Sequence, residues 1–182
     1  MRLRDELEAF WTGLQAARGE ILADLEGLSQ PQFDWRPQEG EWSIGEVIHH
    51  LALAEAATGK MQTRILREAE AAGSVRPYVP GAAVLDPLPP VLPGRATGAP
   101  AHIWPRHGLP IKELVGGIKA ARERTRYNFE RFAEIDPRAL VWDHVFFGPI
   151  HLGQYWTMML RHDQIHIPQL RAVKAAPGFP PR

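Results

Sequence analysis

The stretch WSIGEVIHHL, residues 42–51, marks the start of the second of four predicted helices. Its Ser43, followed three residues later by Glu46, is a capping-box pattern, in which each side chain bonds a backbone amide at the start of a helix. Apolar residues recur at helical spacing after this start. The stretch therefore predicts a helix from Ile44 to about Ala71, with His50 in its second turn.

A pair of histidines lies in the stretch RHDQIHIPQL, residues 161–170. His162 and His166 are four residues apart, so on a helix they project from one face, one turn apart. Two such imidazoles can bind one metal ion, and a third from another helix leaves positions for water or substrate. Helical angles place His50 and the pair on inward faces of their helices, whereas His49 points towards solvent. The sequence thus predicts a metal site if the three inward histidines meet.

The level of these histidines along a bundle selects one topology. His50 lies roughly 9 Å along helix two, and the pair lies roughly 20 to 25 Å along helix four, at 1.5 Å per residue. They meet only if helices two and four are antiparallel, which requires an up-down-down-up order and a long crossover between helices two and three. Residues 73–109 are a proline-rich segment that suits this crossover.

Periodic apolar residues predict helix one over residues 5–28 and helix three from Pro110 to about Phe132. Helix four is expected to begin at Gly148-Pro149, because proline suits the first turn of a helix. Pro168 is expected to kink this helix or end it early. The apolar and aromatic segment 139–147 is interpreted as a short strand. Together these elements predict an all-α four-helix bundle.

Composition excludes several classes of function. Its 21 basic and 21 acidic residues cancel, so no net field favours nucleic acid or an anionic membrane. The absence of cysteine excludes thiolate ligands, disulfides and a cysteine nucleophile, so a metal would be held by nitrogen and oxygen. No segment has the apolar length of a membrane span or a secretory signal. We expect a cytoplasmic protein in which residues 1–182 form a single domain.

Three segments resemble the DinB/YfiT-like family of four-helix bundles with a metal-binding histidine triad. They are WSIGEVIHHL, FGPI at residues 147–150, and HDQIHIPQL at residues 162–170. The resemblance implies that His50, His162 and His166 bind one divalent ion, zinc or nickel, and that the protein forms a homodimer. Related members include S-transferases that use the low-molecular-weight thiols bacillithiol or mycothiol, so the resemblance indicates the site better than the reaction.

Three further features of the helices bear on the site. Asp163 faces the histidines and either orients an imidazole from behind or forms a salt bridge with an arginine. Glu55 is interpreted as a solvated position at the flank of helix two rather than a general base. The charged run from Arg122 to Arg126 is interpreted as a solvated face of helix three.

The end of the crossover, HIWPRH at residues 102–107, must arrive at the same end of the bundle as the histidines. Trp104 and Arg106 are therefore candidates for a lid, in which Arg106 contacts an anionic substrate. The alternative is a packed loop with an aromatic plug, which has no part in binding.

Two functions from different classes agree with this sequence. In the first, the protein is an enzyme whose ion activates water for hydrolysis, or a thiol for transfer to a small-molecule substrate. In the second, it is a non-catalytic dimeric stress-response protein whose ion stabilises the bundle. Open coordination positions favour the enzyme, since structural zinc sites are usually closed and four-coordinate.

Overall fold

The computed structural model describes residues 3–81, 83–93 and 98–181. Four long helices correspond to the four predicted ones: α1 Leu3–Leu25, α3 Ile44–Ala71, α4 Ile111–Phe132 and α5 Leu152–Ala175. A short helix, α2 Gln30–Asp34, precedes α3, and a hairpin of β1 Val141–His144 and β2 Gly148–His151 precedes α5. The prediction of a four-helix bundle is confirmed. Within the predicted crossover, positions 82 and 94–97 lie outside the described residues.

Contacts between α3 and α5 show that these helices are antiparallel. His50, near the start of α3, contacts His162 in the second half of α5. Thr58, two turns further along α3, contacts Tyr155 in the first turn of α5. The contacts move backward along α5 as they move forward along α3, so the start of α3 meets the later part of α5, as the histidine positions predict.

Contacts between α3 and α4 run in the same direction along both helices. Gly45 packs against Leu114 near the start of α4, and Gly59 packs against Asn128 near its end. The two helices are therefore parallel, and the absence of side chains at both glycines lets their backbones approach closely. The segment between Ala71 and Ile111 must return along the bundle, so the predicted crossover is confirmed.

Contacts between α1 and α5 complete the topology. Arg18 pairs with Asp163, and Asp24, further along α1, pairs with Arg171 further along α5. Helices α1 and α5 are therefore parallel to each other and antiparallel to the α3–α4 pair. This is the up-down-down-up order that the sequence predicts.

The start of α3 is held by the predicted capping box. Glu46 donates its backbone N–H to Ser43 Oγ at 3.2 Å, and Ser43 donates its own to Glu46 Oε2 at 2.9 Å. Arg36 also donates hydrogen bonds to this carboxylate. Burial acts to raise the pKa of Glu46, but these bonds outweigh it and lower the pKa to about 2. The turn that leads into His50 is thus fixed by charged and neutral bonds.

The predicted start of the last helix is wrong. Gly148 and Pro149 lie in β2, and the helix begins at Leu152 after His151, whose Nδ1 accepts the backbone N–H of Gln154. Gly148 has a φ of 68°, which suits the turn into β2. Proline is tolerated there because a two-stranded hairpin consists of edge strands. The strand predicted within 139–147 exists as β1, and its partner was missed.

Other predicted boundaries differ in smaller ways. Helix α1 spans Leu3–Leu25 rather than 5–28, and Pro110 is the cap of α4 rather than its first residue. The expected early end at Pro168 is wrong, because α5 continues to Ala175. Apolar residues on both sides of this proline, Ile167 and Leu170, are buried in the core, so packing holds the helix together across it.

The core consists of two hydrophobic clusters at different levels of the bundle. The first, towards the hairpin, contains Leu14, Phe132 and Trp156, and the second, towards the histidines, contains Ile48 and Leu170. Between them lies a layer of buried charged side chains, one from each long helix: Arg18, Glu55, Arg122 and Asp163. No helix in the described part of the chain has an apolar stretch long enough to cross a bilayer.

Gly153 in the first turn of α5 gives a test of the crossover packing. A Cβ at this position would overlap the carbonyl oxygen of Val84, a fully buried residue of the crossover. We expect Gly153→Ala to lower the free energy of unfolding by about 1–3 kcal/mol, as in overpacked cores. Gly19→Ala, where a Cβ meets open space in α1, should raise it by about 0.5–1 kcal/mol. Urea unfolding of both variants measures this, and a stable Gly153→Ala variant would contradict the packing.

Candidate metal centre

The three predicted histidines come together between α3 and α5. The Nε2 atom of His162 lies 3.1 Å from Nε2 of His50 and 3.2 Å from Nε2 of His166. The three nitrogen atoms lie within 4.8 Å of one another. His50 and His166 are buried, whereas His162 is half-buried. Three nitrogen donors from two helices thus face one point.

Hydrogen bonds on the far side of two rings set their protonation. His50 Nδ1 lies 3.0 Å from the carbonyl oxygen of Ile103, and His166 Nδ1 lies 2.6 Å from Oε1 of Gln169. Both oxygens only accept, so Nδ1 carries the proton and donates it in each ring. The Nε2 atoms of His50 and His166 are therefore unprotonated and hold their lone pairs towards the shared point. Such bonds are typical behind metal-binding imidazoles.

The spacing of the nitrogens fits a divalent ion. At zinc–nitrogen bonds of about 2.0–2.1 Å, two ligand nitrogens lie about 3.0 Å apart at a right angle and about 3.4 Å apart at a tetrahedral angle. The two separations from His162, 3.1 and 3.2 Å, lie between these values, and the nitrogens of His50 and His166 lie within 4.8 Å of each other. Imidazole nitrogen is a ligand for both zinc and nickel. The donor set and its spacing therefore both suit the ions that the resemblance implies.

Burial keeps all three rings neutral at neutral pH. It lowers the pKa of His162 to about 3, with further contributions from His166 and His50. It also lowers the pKa of His166 to about 4, against the opposing effect of its hydrogen bond to Gln169, and lowers that of His50. Because a neutral imidazole is the form that binds metal, no proton has to be removed at neutral pH.

Asp163 points away from the histidines into the charged layer. Its Oδ1 lies 2.9 Å from Arg18 Nη2, and its Oδ2 lies 2.8 Å from Arg122 Nη2. Burial acts to raise the pKa of this carboxyl, but the two arginines outweigh it and lower the pKa. Of the two interpretations of Asp163, the structure matches the salt bridge.

Glu55 completes this layer, and its predicted position at a solvated flank is wrong. Its carboxylate accepts hydrogen bonds from Arg18, Arg122 and Thr125, and its side chain is 5% exposed. The predicted solvated face of α4 is also wrong for Arg122 and Thr125, which are buried. We call the buried set Arg18, Glu55, Arg122 and Asp163 the ionic tetrad. Sequence analysis missed Arg18 altogether, although two acidic and two basic residues at inward positions would have indicated pairing.

The end of the crossover lies against the histidine site. In addition to the Ile103 carbonyl that accepts from His50, the Trp104 ring packs edge-on against Trp42, with centroids 5.6 Å apart. The Trp42 ring in turn lies 4.9 Å from the His50 ring. Trp104 is 58% exposed, so one side of its ring faces solvent while the other contacts Trp42. The role of the Ile103 carbonyl could not be predicted from the sequence, because every residue type has a backbone carbonyl.

His49 lies apart from the three clustered histidines. Its Nδ1 accepts the backbone N–H of Arg106 at 2.9 Å, while the Arg106 side chain is exposed. The two neighbouring histidines therefore differ in role: His50 faces the other imidazoles and His49 holds the end of the crossover.

A cavity of about 770 Å³ lies beside the histidine site, between α3, α5, the hairpin and the end of the crossover. His162 lines it at one end, and the ionic tetrad forms its floor. Its walls include Met61, Trp142 and Tyr155. The half-buried histidine thus connects the candidate metal site to a space large enough for a small molecule.

Comparisons with known proteins agree with the fold. A family model described as the DinB superfamily matches residues 13–170. The uncharacterized protein YuaE of Bacillus subtilis (strain 168) is 24% identical over 161 residues, which cover 87% of this chain and 93% of YuaE. The crystal structure of TT2238, a four-helix bundle protein, has a TM-score of 0.61 and 20% identity, covering 91% of this chain and 98% of that one. That likeness shows the fold. Since the family model spans most of the sequence, including all three clustered histidines, this chain belongs to the DinB superfamily.

Proposed function

We propose that the protein is a metal-dependent enzyme in which His50, His162 and His166 bind one divalent ion, zinc or nickel. The observation that supports this is the convergence of three Nε2 atoms, two of them held unprotonated by hydrogen bonds from Nδ1. The alternative is that these are buried histidines with a purely structural role. Such a histidine requires one partner for each ring nitrogen and not two further imidazoles beside the same nitrogen.

A catalytic ion is favoured over one that only stabilises the bundle. His162 lines the cavity, so a molecule bound there reaches the point on which the imidazoles converge. The bundle is also held at other levels by two hydrophobic clusters and the ionic tetrad, which do not depend on an ion. The histidine site is therefore better suited to contact a molecule in the cavity than to stabilise the core.

We further propose thiol transfer rather than hydrolysis as the reaction. A divalent ion held by three imidazoles supplies Lewis acidity that favours the deprotonated form of a thiol or water. Hydrolysis generally also needs a general base, and the carboxylates at the cavity floor, Glu55 and Asp163, are engaged by two arginines. A low-molecular-weight thiol, such as bacillithiol or mycothiol, is far more acidic than water, so binding to the ion would deprotonate it without a protein base, and its proton would pass to solvent.

Residues 102–107 are proposed to shield the outer side of the site. The Ile103 carbonyl keeps His50 in its protonation state, and the Trp104–Trp42 pair restricts water beside the His50 ring. A small-molecule substrate then enters from the cavity side, where His162 is reached first.

Turnover with and without metal tests this function. Zinc- or nickel-loaded protein should transfer a thiol to a fluorogenic electrophile, and chelation or His162→Ala should abolish transfer while circular dichroism shows an intact bundle. Ester and amide substrates, assayed without thiol, test for hydrolysis. If chelation instead causes a large fall in melting temperature, and neither thiol transfer nor hydrolysis is detected, the protein is non-catalytic and the metal stabilises the bundle.

A further inference from the structure

The cavity beside the histidines arises from small side chains on one face of α3. His50, Ala54, Ala57 and Met61 follow one another at spacings of four, three and four, so they share a helix face. The two alanines line the cavity and leave the space that longer side chains would fill. The helix face that carries the candidate metal ligand His50 thus also leaves space for a bound small molecule.

The walls of this space are apolar, aromatic and adaptable. Trp142 of β1 packs against Tyr155 with ring centroids 5.0 Å apart, and both rings line the cavity. Met61, Met158 and Met159 line it from α3 and α5. Methionine side chains are flexible and polarisable and contact aromatic rings favourably. Walls of this kind bind flat, apolar molecules of varied outline.

The charged floor carries no net charge that would favour an ionic ligand. Each guanidinium nitrogen of Arg18 donates to a carboxylate or a backbone carbonyl, and the same holds for Arg122. Two positive and two negative charges cancel within the ionic tetrad. An anion in the cavity would therefore find no net positive field to offset the loss of its hydration. Lys60 and Arg64 lie at the rim, where they are exposed and screened by solvent.

The oxygen of Tyr155 is a polar atom in the wall that can accept a hydrogen bond from a ligand. Thr58 donates its only hydroxyl proton to the carbonyl oxygen of Ala54 at 2.8 Å, so its 2.9 Å contact with Tyr155 Oη must be donated by the tyrosine. Burial raises the pKa of Tyr155, which keeps that proton in place. The tyrosine oxygen therefore has a lone pair left, and it can accept a hydrogen bond but not donate one.

We propose that this cavity binds an uncharged, aromatic molecule with one N–H or O–H donor that bonds to Tyr155 Oη. Its volume of about 770 Å³ suits a small organic molecule. That this molecule is the substrate rests on the proposed function, because His162 ends the cavity. Binding itself requires no metal, so the two proposals can fail separately.

Two probes that share a skeleton test the ligand class. N-phenyl-1-naphthylamine is uncharged and has one N–H, and 1-anilinonaphthalene-8-sulfonate is the same molecule with a sulfonate. Fluorescence titration of the metal-free protein should show one site per chain for the amine. Binding of the sulfonate should be weaker by about tenfold or more, because no net positive charge offsets its desolvation. Equal binding of the two probes, or tighter binding of the sulfonate, would overturn the uncharged class.

Matched variants test the place of binding. Ala57→Trp fills the cavity and should weaken binding of the amine by about tenfold or more, by excluding it from the apolar walls. Ala71→Trp adds the same ring at the exposed end of α3 and should leave binding unchanged. Tyr155→Phe should weaken binding of the amine several-fold in a protein that still folds, because it removes the acceptor; it should lower the melting temperature only slightly, through loss of the hydrogen bond to Thr58. Full binding by a folded Ala57→Trp variant places the probe elsewhere and overturns the proposal.

The result with His162→Ala separates this inference from the proposed function. That variant should still bind the uncharged amine, since its contacts are to the cavity walls. Retained binding together with metal-independent turnover would count against the proposed function alone. Absent binding in a protein that still takes up metal through its histidines would count against the cavity ligand alone.

Discussion

Glu55→Ala should lower the free energy of unfolding by about 3–5 kcal/mol, as expected when one partner of a buried ion pair is removed. Arg18 and Arg122 would then face a single carboxylate, Asp163, with one positive charge buried and uncompensated. Thr125 would also lose its 2.6 Å hydrogen bond to Glu55 Oε1. The effect is large because all four long helices meet at this layer.

Glu8→Ala is the matched control for this variant. Glu8 also pairs with an arginine on α4, Arg126, but the two side chains are 53% and 35% exposed. Removal of an exposed pair should cost no more than about 1 kcal/mol. Urea unfolding followed by circular dichroism at pH 7 compares the two variants. Similar small changes in both would mean that water reaches the ionic tetrad, and that the bundle does not depend on it.

The elements that sequence analysis predicted correctly are those with local and independent signals. The capping box of Ser43 and Glu46 set the start of α3 to the residue, because its chemistry lies within one turn. The topology followed from two separate observations, the histidine levels and the proline-rich crossover, that agreed on one arrangement. Neither observation depended on knowing how the helices pack.

The elements that were missed depend on contacts between distant parts of the chain. Gly148-Pro149 suits either the start of a helix or an edge strand, and its pairing with β1 decides between them. Glu55 appeared to lie at a flank because the periodicity of one helix does not show the arginines on its neighbours. Gln169 orients His166, but an amide three residues after a proposed ligand has no distinctive pattern until the helix is seen.

Loss of any one clustered histidine should greatly weaken metal binding. We expect His50→Ala, His162→Ala and His166→Ala each to lower the affinity for zinc by more than about 100-fold, since loss of an orienting group alone typically costs about 10–100-fold. Gln169→Ala, which removes the orienting acceptor of His166 Nδ1 and leaves the ligands in place, should fall in that smaller range. Competition with a zinc-binding dye gives the affinities, and melting curves show that each variant is folded.

The metal content of purified protein after dialysis against trace zinc or nickel tests the central claim most directly. His49→Ala is the control. It removes the imidazole next to His50, which accepts a hydrogen bond from the backbone N–H of Arg106 and lies apart from the clustered histidines. We expect about one ion per chain in the unaltered protein and in His49→Ala, as for a site with one set of ligands. The three clustered-histidine variants should hold almost none. Retention of the ion by all three, or its loss from His49→Ala alone, would contradict the proposed site.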